Sequence, residues 1–143
     1  MRRAPTYLVP IDFSPNSEKA LDYALSMARE RGAKVVVLHV VQGELVYPPM
    51  GGTFDFYGLL ERDARESFRR LAARKRLAPD DCRFVLVRGT DFARVIAEQA
   101  RKLRAELIIM GSHGRTGLQR LMLGSVAERT LRYARCPVLV VKR

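Results

Sequence analysis

Leu107-Ile-Ile-Met110 runs directly into Gly111-Ser-His-Gly-Arg-Thr-Gly117, an unbroken apolar stretch set against a glycine-rich turn. A short apolar run bounded by turn-forming residues reads as a strand covered on both faces. Upstream, Gly89-Thr-Asp91 opens a helix in which Val95, Ile96, Ala97, Ala100 and Leu103 recur on one side. Downstream, a last helix begins near Ser125, and Pro137-Val-Leu-Val-Val141 closes the chain as a strand. Earlier segments repeat the alternation. Tyr7-Leu-Val-Pro-Ile11 is a first strand, and Ser14-Pro15 gives a cap followed by proline at the first helical position. Ala20, Leu21, Ala24, Leu25 and Ala28 form that helix's apolar face, and Gly32 ends it. Val35-Val-Val-Leu-His-Val-Val41 is a second strand, a charged helix is expected from about Leu59 to Leu77, and Arg83-Phe-Val-Leu-Val87 is a third strand. Five apolar runs separated mostly by helices predict an α/β fold. It is an open five-stranded parallel sheet with helices on both faces, Rossmann-like in plan, in one domain over residues 1–143.

In such sheets ligands sit beyond the carboxyl ends of strands, where the winding direction reverses. The segments after each strand are therefore the candidates: Asp12, Val40-Val41, Gly89, and Gly111 onward. Four of the ten glycines, at 111, 114, 117 and 124, fall within 14 residues. A loop of this kind brings backbone N–H groups close to an anion because no side chain intervenes. The spacing fits neither a Walker loop, since Thr116 stands where the second glycine belongs, nor the dinucleotide fingerprint. Ser125 and Glu128 form Ser-x-x-Glu, a capping-box pattern at a helix start, and a helix N-terminus after a glycine is an anion site. The Ser125 hydroxyl has two uses open to it, capping its own helix or meeting a phosphate. Arg115 and Arg120 are placed to supply counter-charge.

Charge points the same way without deciding the partner. The chain of 143 residues has 26 Lys+Arg against 15 Asp+Glu, a formal +11. Residues 111–143 hold 7 basic residues and one acid, so +6 lies in the last 33 positions. A basic excess in one segment suggests an anionic partner, either a small phosphate compound or nucleic acid. No motif for reading nucleic acid occurs here, and the basic residues are not interleaved with aromatics, which disfavours that partner. Composition is that of a folded protein, with 48% hydrophobic and 29% charged residues. No apolar run approaches the ~20 residues of a membrane span, and no secretory signal is expected. Cys82 and Cys136 are too few for a disulfide framework and read as reduced packing residues of a cytoplasmic protein.

Gly111-x2-Gly114-x9-Gly124-Ser125 resembles the glycine pattern of the nucleotide-binding branch of the universal stress protein family. Val9-Pro-Ile-Asp-Phe-Ser14, Leu38-His-Val-Val41, Ile108-Ile-Met-Gly-Ser-His-Gly-Arg115 and Cys136-Pro-Val-Leu-Val-Val141 resemble other segments of that family, in the same order. The resemblance implies an adenine nucleotide alpha hydrolase-like sheet that binds ATP, or AMP or ADP, in a stress-response or signalling role. It places Pro10 and Asp12 against ribose or base, and the Val40 backbone on the adenine edge. Met110, Gly111, His113, Gly114 and Arg115 would then wrap ribose and phosphates, with Gly124, Ser125 and Val126 on the outer phosphates. Magnesium or manganese would accompany the phosphates. The family also points to a homodimer through Val138–Val141, an apolar terminal strand that would be unprotected at a sheet edge.

Several residues invite other readings. His113 lacks a nearby nucleophile or orienting carboxylate in sequence, which favours a positioning or backbone role. His39 reads as a satisfied core histidine, and Asp55, Glu61 and Asp63 as a solvated face. Residues 42–57 form a long loop whose aromatics Tyr47, Phe54, Phe56 and Tyr57 would cover a nucleotide or pack at a subunit boundary. With no activating base evident, hydrolysis should be slow. The alternatives are a weak ATPase or phosphoryl-transfer enzyme using Ser125 or Asp12, and a basic nucleic-acid-binding protein.

Overall fold

In the computed structural model, residues 3–42, 55–114 and 122–142 are described. The elements are β1 (Thr6–Pro10), α1 (Pro15–Arg31), β2 (Lys34–Val41), α2 (Phe56–Arg74), β3 (Arg83–Arg88), α3 (Phe92–Leu103), β4 (Leu107–Gly111), α4 (Ser125–Tyr133) and β5 (Val138–Val141). All strands are parallel in the order β3-β2-β1-β4-β5. The chain winds outward from β1 in both directions, so the winding reverses between β1 and β4, and β3 and β5 are the edges. This is the predicted α/β fold.

Alternation along the strands divides the core in two. Tyr7, Val9, Val35, Val37 and Ile109 pack with Leu21 and Leu25 of α1 and Leu71 of α2. Leu8, Val36, Leu38, Ile108 and Met110 pack with Ile96 of α3 and Ala127 of α4. Helices α1 and α2 thus cover one face and α3 and α4 the other. Because both faces are covered, β1, β2 and β4 are nearly continuous apolar runs. Each fully buried Leu or Ile, such as Leu8, Leu21 and Ile108, contributes roughly 1.5–3 kcal/mol.

Helix boundaries follow their caps. The Ser14 side chain accepts from Ser17 N, Pro15 opens α1, and Gly32 closes it at φ 63. The start of α2 lies three residues before the expected Leu59, because the Asp55 carboxylate caps it through Gly58 N at 2.9 Å. Phe56 and Tyr57 therefore belong to a helix rather than to the preceding loop, and Arg88 lies over the Tyr57 ring at 4.7 Å. The helix ends at Arg74 rather than Leu77, and Arg76 turns the chain with φ 54. Tyr47 and Phe54 fall outside the described residues. Cys82 and Cys136 are free and part-buried, and desolvation pushes both thiols above their ordinary range.

Candidate functional site

The carboxyl ends of β1, β2 and β4 open into one cleft of about 610 Å³ at the winding reversal. That volume falls in the range of small-molecule and cofactor sites. Pro10 and Asp12 enter it from β1, Val40 from β2, and Met110 and Gly111 from β4. His113 and Gly114 follow β4, and Gly124, Ser125 and Val126 come from the start of α4. Every proposed site residue except Arg115 is thus brought to one cavity. Arg115 and Arg120 lie outside the described residues.

Each glycine of the pattern is fitted to a protein atom. A Cβ on Gly111 would lie 2.6 Å from Asn16 Oδ1, and one on Gly114 would lie 2.9 Å from Asp12 Oδ2. A Cβ on Gly124 would lie 2.8 Å from the Ser112 carbonyl oxygen, and the Gly124 N–H donates to that same oxygen at 2.7 Å. The α4 N-terminus is therefore fastened to the turn after β4.

That fastening corrects the expected capping box. Gly124, in extended backbone with ψ 151, is the N-cap of α4, and as a glycine it brings no side chain to cap the helix. Ser125 is the first helical residue and is exposed in the cleft, while Glu128 pairs with Arg132 at 2.8 Å. Among the described residues the Ser125 hydroxyl faces the cleft without a capping role, and the N–H groups of the helix's first turn favour an anion there.

Around the β1–α1 turn the Asp12 carboxylate accepts from Ser14 N at 3.0 Å, and the Asp12 N–H reaches Ser17 Oγ at 3.4 Å. Phe13 between them has φ 62, a left-handed conformation that a bulky side chain adopts at a cost of ~1–3 kcal/mol. Its ring packs 5.0 Å from His39. His39 is half-buried and lines the cleft, so it is not wholly a core residue; its Nδ1 lies 2.8 Å from the Ile11 carbonyl, to which that N–H donates.

Sequence reasoning missed Asn16. This buried residue of the first turn of α1 accepts from His113 N at 2.9 Å and from Ser112 Oγ at 3.4 Å, and donates from Nδ2 to the Val141 carbonyl at 3.2 Å. It joins α1, the glycine-rich turn and the end of β5. The His113 ring is held by Ser112 Oγ at 2.8 Å from Nδ1, and its Nε2 is buried without a hydrogen-bond partner among the described residues.

The acids read as a solvated face have particular roles. Asp55 caps α2, Glu61 pairs with Arg88 at 2.7 Å, and exposed Asp63 lines the cleft. Arg129 was also missed. It lines the cleft one turn along α4 from Ser125, with Nη2 2.6 Å from Asp91 Oδ2. Among the described residues no group of three or more His, Cys, Asp or Glu side chains is gathered to hold a metal, and no helix is long and apolar enough to cross a membrane.

The profile of the universal stress protein family matches residues 6–142. A universal stress protein of Methanocaldococcus jannaschii is 36% identical over 141 residues, which cover 95% of this chain and 81% of that one. The structure of a universal stress protein family member from Burkholderia pseudomallei is similar with TM-score 0.72 and 30% identity, over 96% of each chain. The universal stress protein from Archaeoglobus fulgidus, solved in complex with dAMP, is similar with TM-score 0.69 and 26% identity, over 99% of this chain and 100% of that one.

Proposed function

We propose that this chain, which belongs to the universal stress protein family, binds an adenine nucleotide (ATP, ADP or AMP) in the cleft between β1 and β4. It serves there as a nucleotide-dependent module of a cytoplasmic stress response. The observation that carries this reading is the convergence of the Gly111–Gly114 turn and the α4 N-terminus on one nucleotide-sized cavity. Phosphates would meet the Ser125 hydroxyl and the N–H groups of the first turn of α4, and the Val40 backbone would face the base. A dAMP complex of a relative with the same fold supports an adenine ligand. Magnesium or manganese would be held chiefly by the phosphates, because the described residues offer at most scattered carboxylates.

Titration calorimetry with AMP and ATP tests the reading, with micromolar binding expected. Binding no tighter than millimolar for every adenine nucleotide would overturn it. Hydrolysis should be slow, since the Asp12 carboxylate is engaged with Ser14 N, and the cleft histidines His39 and His113 are held by the Ile11 carbonyl and the Ser112 hydroxyl rather than by a carboxylate. Steady ATP turnover lost on Asp12→Asn would instead establish phosphoryl transfer.

The reading extends to assembly. Strand β5 lies at the sheet edge with its four apolar residues only half-buried, and pairing with a second copy would cover it. Val140→Lys is expected to convert a dimer to a monomer in sedimentation with circular dichroism unchanged. A folded variant that still sediments as a dimer would exclude this edge.

A further inference from the structure

An anionic ligand in this cleft meets two carboxylates, Asp12 and Asp63, and, among the described lining residues, one cationic side chain, Arg129. Its guanidinium is engaged elsewhere, on Asp91 at the start of α3 and beside the Tyr133 ring at 5.6 Å, which Arg94 also covers at 4.6 Å. That engagement is replaceable. Asp91 also caps α3 by accepting from Arg94 N at 3.3 Å, and the Arg94 Nε lies 3.3 Å from Asp91 Oδ2. If Arg129 leaves, Asp91 keeps a cation and its cap. Arg129 is 46% exposed and Asp91 32%, and ion pairs of that exposure are weak.

Arg129 lines the cleft from a position one turn after Ser125, at the phosphate end. Side chains on a helix lean toward its N-terminus, and residues four apart lie one above the other. Arg129 therefore stands over the face of Ser125, the first residue of α4. A guanidinium matches phosphate oxygens with two parallel N–H donors, which a singly paired carboxylate does not use fully.

Resting on the nucleotide reading above, we infer that Arg129 is a phosphate-contacting, specificity-determining residue of this cleft that exchanges Asp91 for the phosphates of the bound nucleotide. Asp91 is then a competitor, and its removal strengthens binding. That sign separates the inference from a purely structural α3–α4 clamp, in which losing either partner weakens the site.

Calorimetric titration of adenosine, AMP and ATP into wild type, Arg129→Gln and Asp91→Asn tests it, with circular dichroism as the control for folding. Asparagine retains the capping acceptor. Arg129→Gln should weaken ATP binding about tenfold, the size of a hydrogen bond to a charged group, while adenosine affinity changes less than about twofold. Asp91→Asn should tighten ATP about threefold and leave adenosine alone. Undiminished ATP affinity in Arg129→Gln, or equal weakening in both variants, overturns the assignment while leaving the nucleotide reading intact. Wild-type protein that binds neither adenosine nor ATP overturns both.

Discussion

Replacing Gly124 by valine is expected to weaken AMP and ATP binding by more than about tenfold and to lower stability by ~1–3 kcal/mol. The cause is contact rather than backbone conformation. Gly124 has φ −61 and ψ 151, values open to any residue. Its Cβ, however, would lie 2.8 Å from the Ser112 carbonyl oxygen and 3.4 Å from His113 Cα, and both are main-chain atoms that cannot swing aside. Relief requires the α4 N-terminus to draw back from the turn after β4. This breaks the 2.7 Å Gly124–Ser112 bond and displaces Ser125 from the cleft. Gly32→Ala is the matched control. Gly32 sits at φ 63, and a Cβ there would meet nothing within 4 Å, so alanine costs roughly 1 kcal/mol of strain far from the cleft. Denaturant titration should show both variants destabilised, and calorimetry should show only Gly124→Val losing nucleotide. Equal binding by the two variants would reduce the glycine pattern to packing alone.

The contrast between those glycines shows what can be read from the chain before it folds. Gly32 follows a helical apolar pattern that stops, and its left-handed φ is the usual end of a helix, so its role is local and legible. The same holds for Ser14-Pro15 at the start of α1 and for the nearly continuous apolar Val35–Val41 run, whose two buried faces write themselves into composition. Gly124 was legible only as a spacing. Its partner Ser112 is fixed by the sheet, and this tertiary bond moved the cap of α4 one residue ahead of the Ser-x-x-Glu pattern. The pairing of Arg129 was hidden for a similar reason, since Asp91 lies 38 residues away and arrives through the packing of α3 on α4. The missed features are those whose partners are distant in sequence. Several of the 26 basic residues are likewise held in surface pairs, among them Arg74 with Glu18 and Lys75 with Asp22, which add nothing to the +11 excess.

Asn16→Ala is expected to be the most damaging single polar truncation at the site, costing roughly 2–4 kcal/mol and most of the nucleotide affinity. Three hydrogen bonds converge on this side chain, and their partners differ in what they lose. The Val141 carbonyl keeps Ser112 N at 3.0 Å, and Ser112 Oγ keeps His113 Nδ1 at 2.8 Å. The His113 N–H, whose 2.9 Å bond is to Asn16 Oδ1, loses its acceptor inside a residue that is 8% exposed, and a buried orphan donor is the expensive outcome. Alanine also vacates the volume that Gly111 was kept small to admit, adding a cavity cost to the polar one. The turn then relaxes toward solvent to satisfy the amide, carrying Gly114 away from Asp12. Ser112→Ala removes a hydroxyl but orphans no backbone donor, so it should cost less than half as much. Hydrogen exchange separates the explanations. The His113 amide should be protected in wild type and in Ser112→Ala but exchange at least about tenfold faster in Asn16→Ala. If its protection survives in Asn16→Ala, the turn is held by the sheet alone, and Asn16 is reduced to a link between α1 and β5.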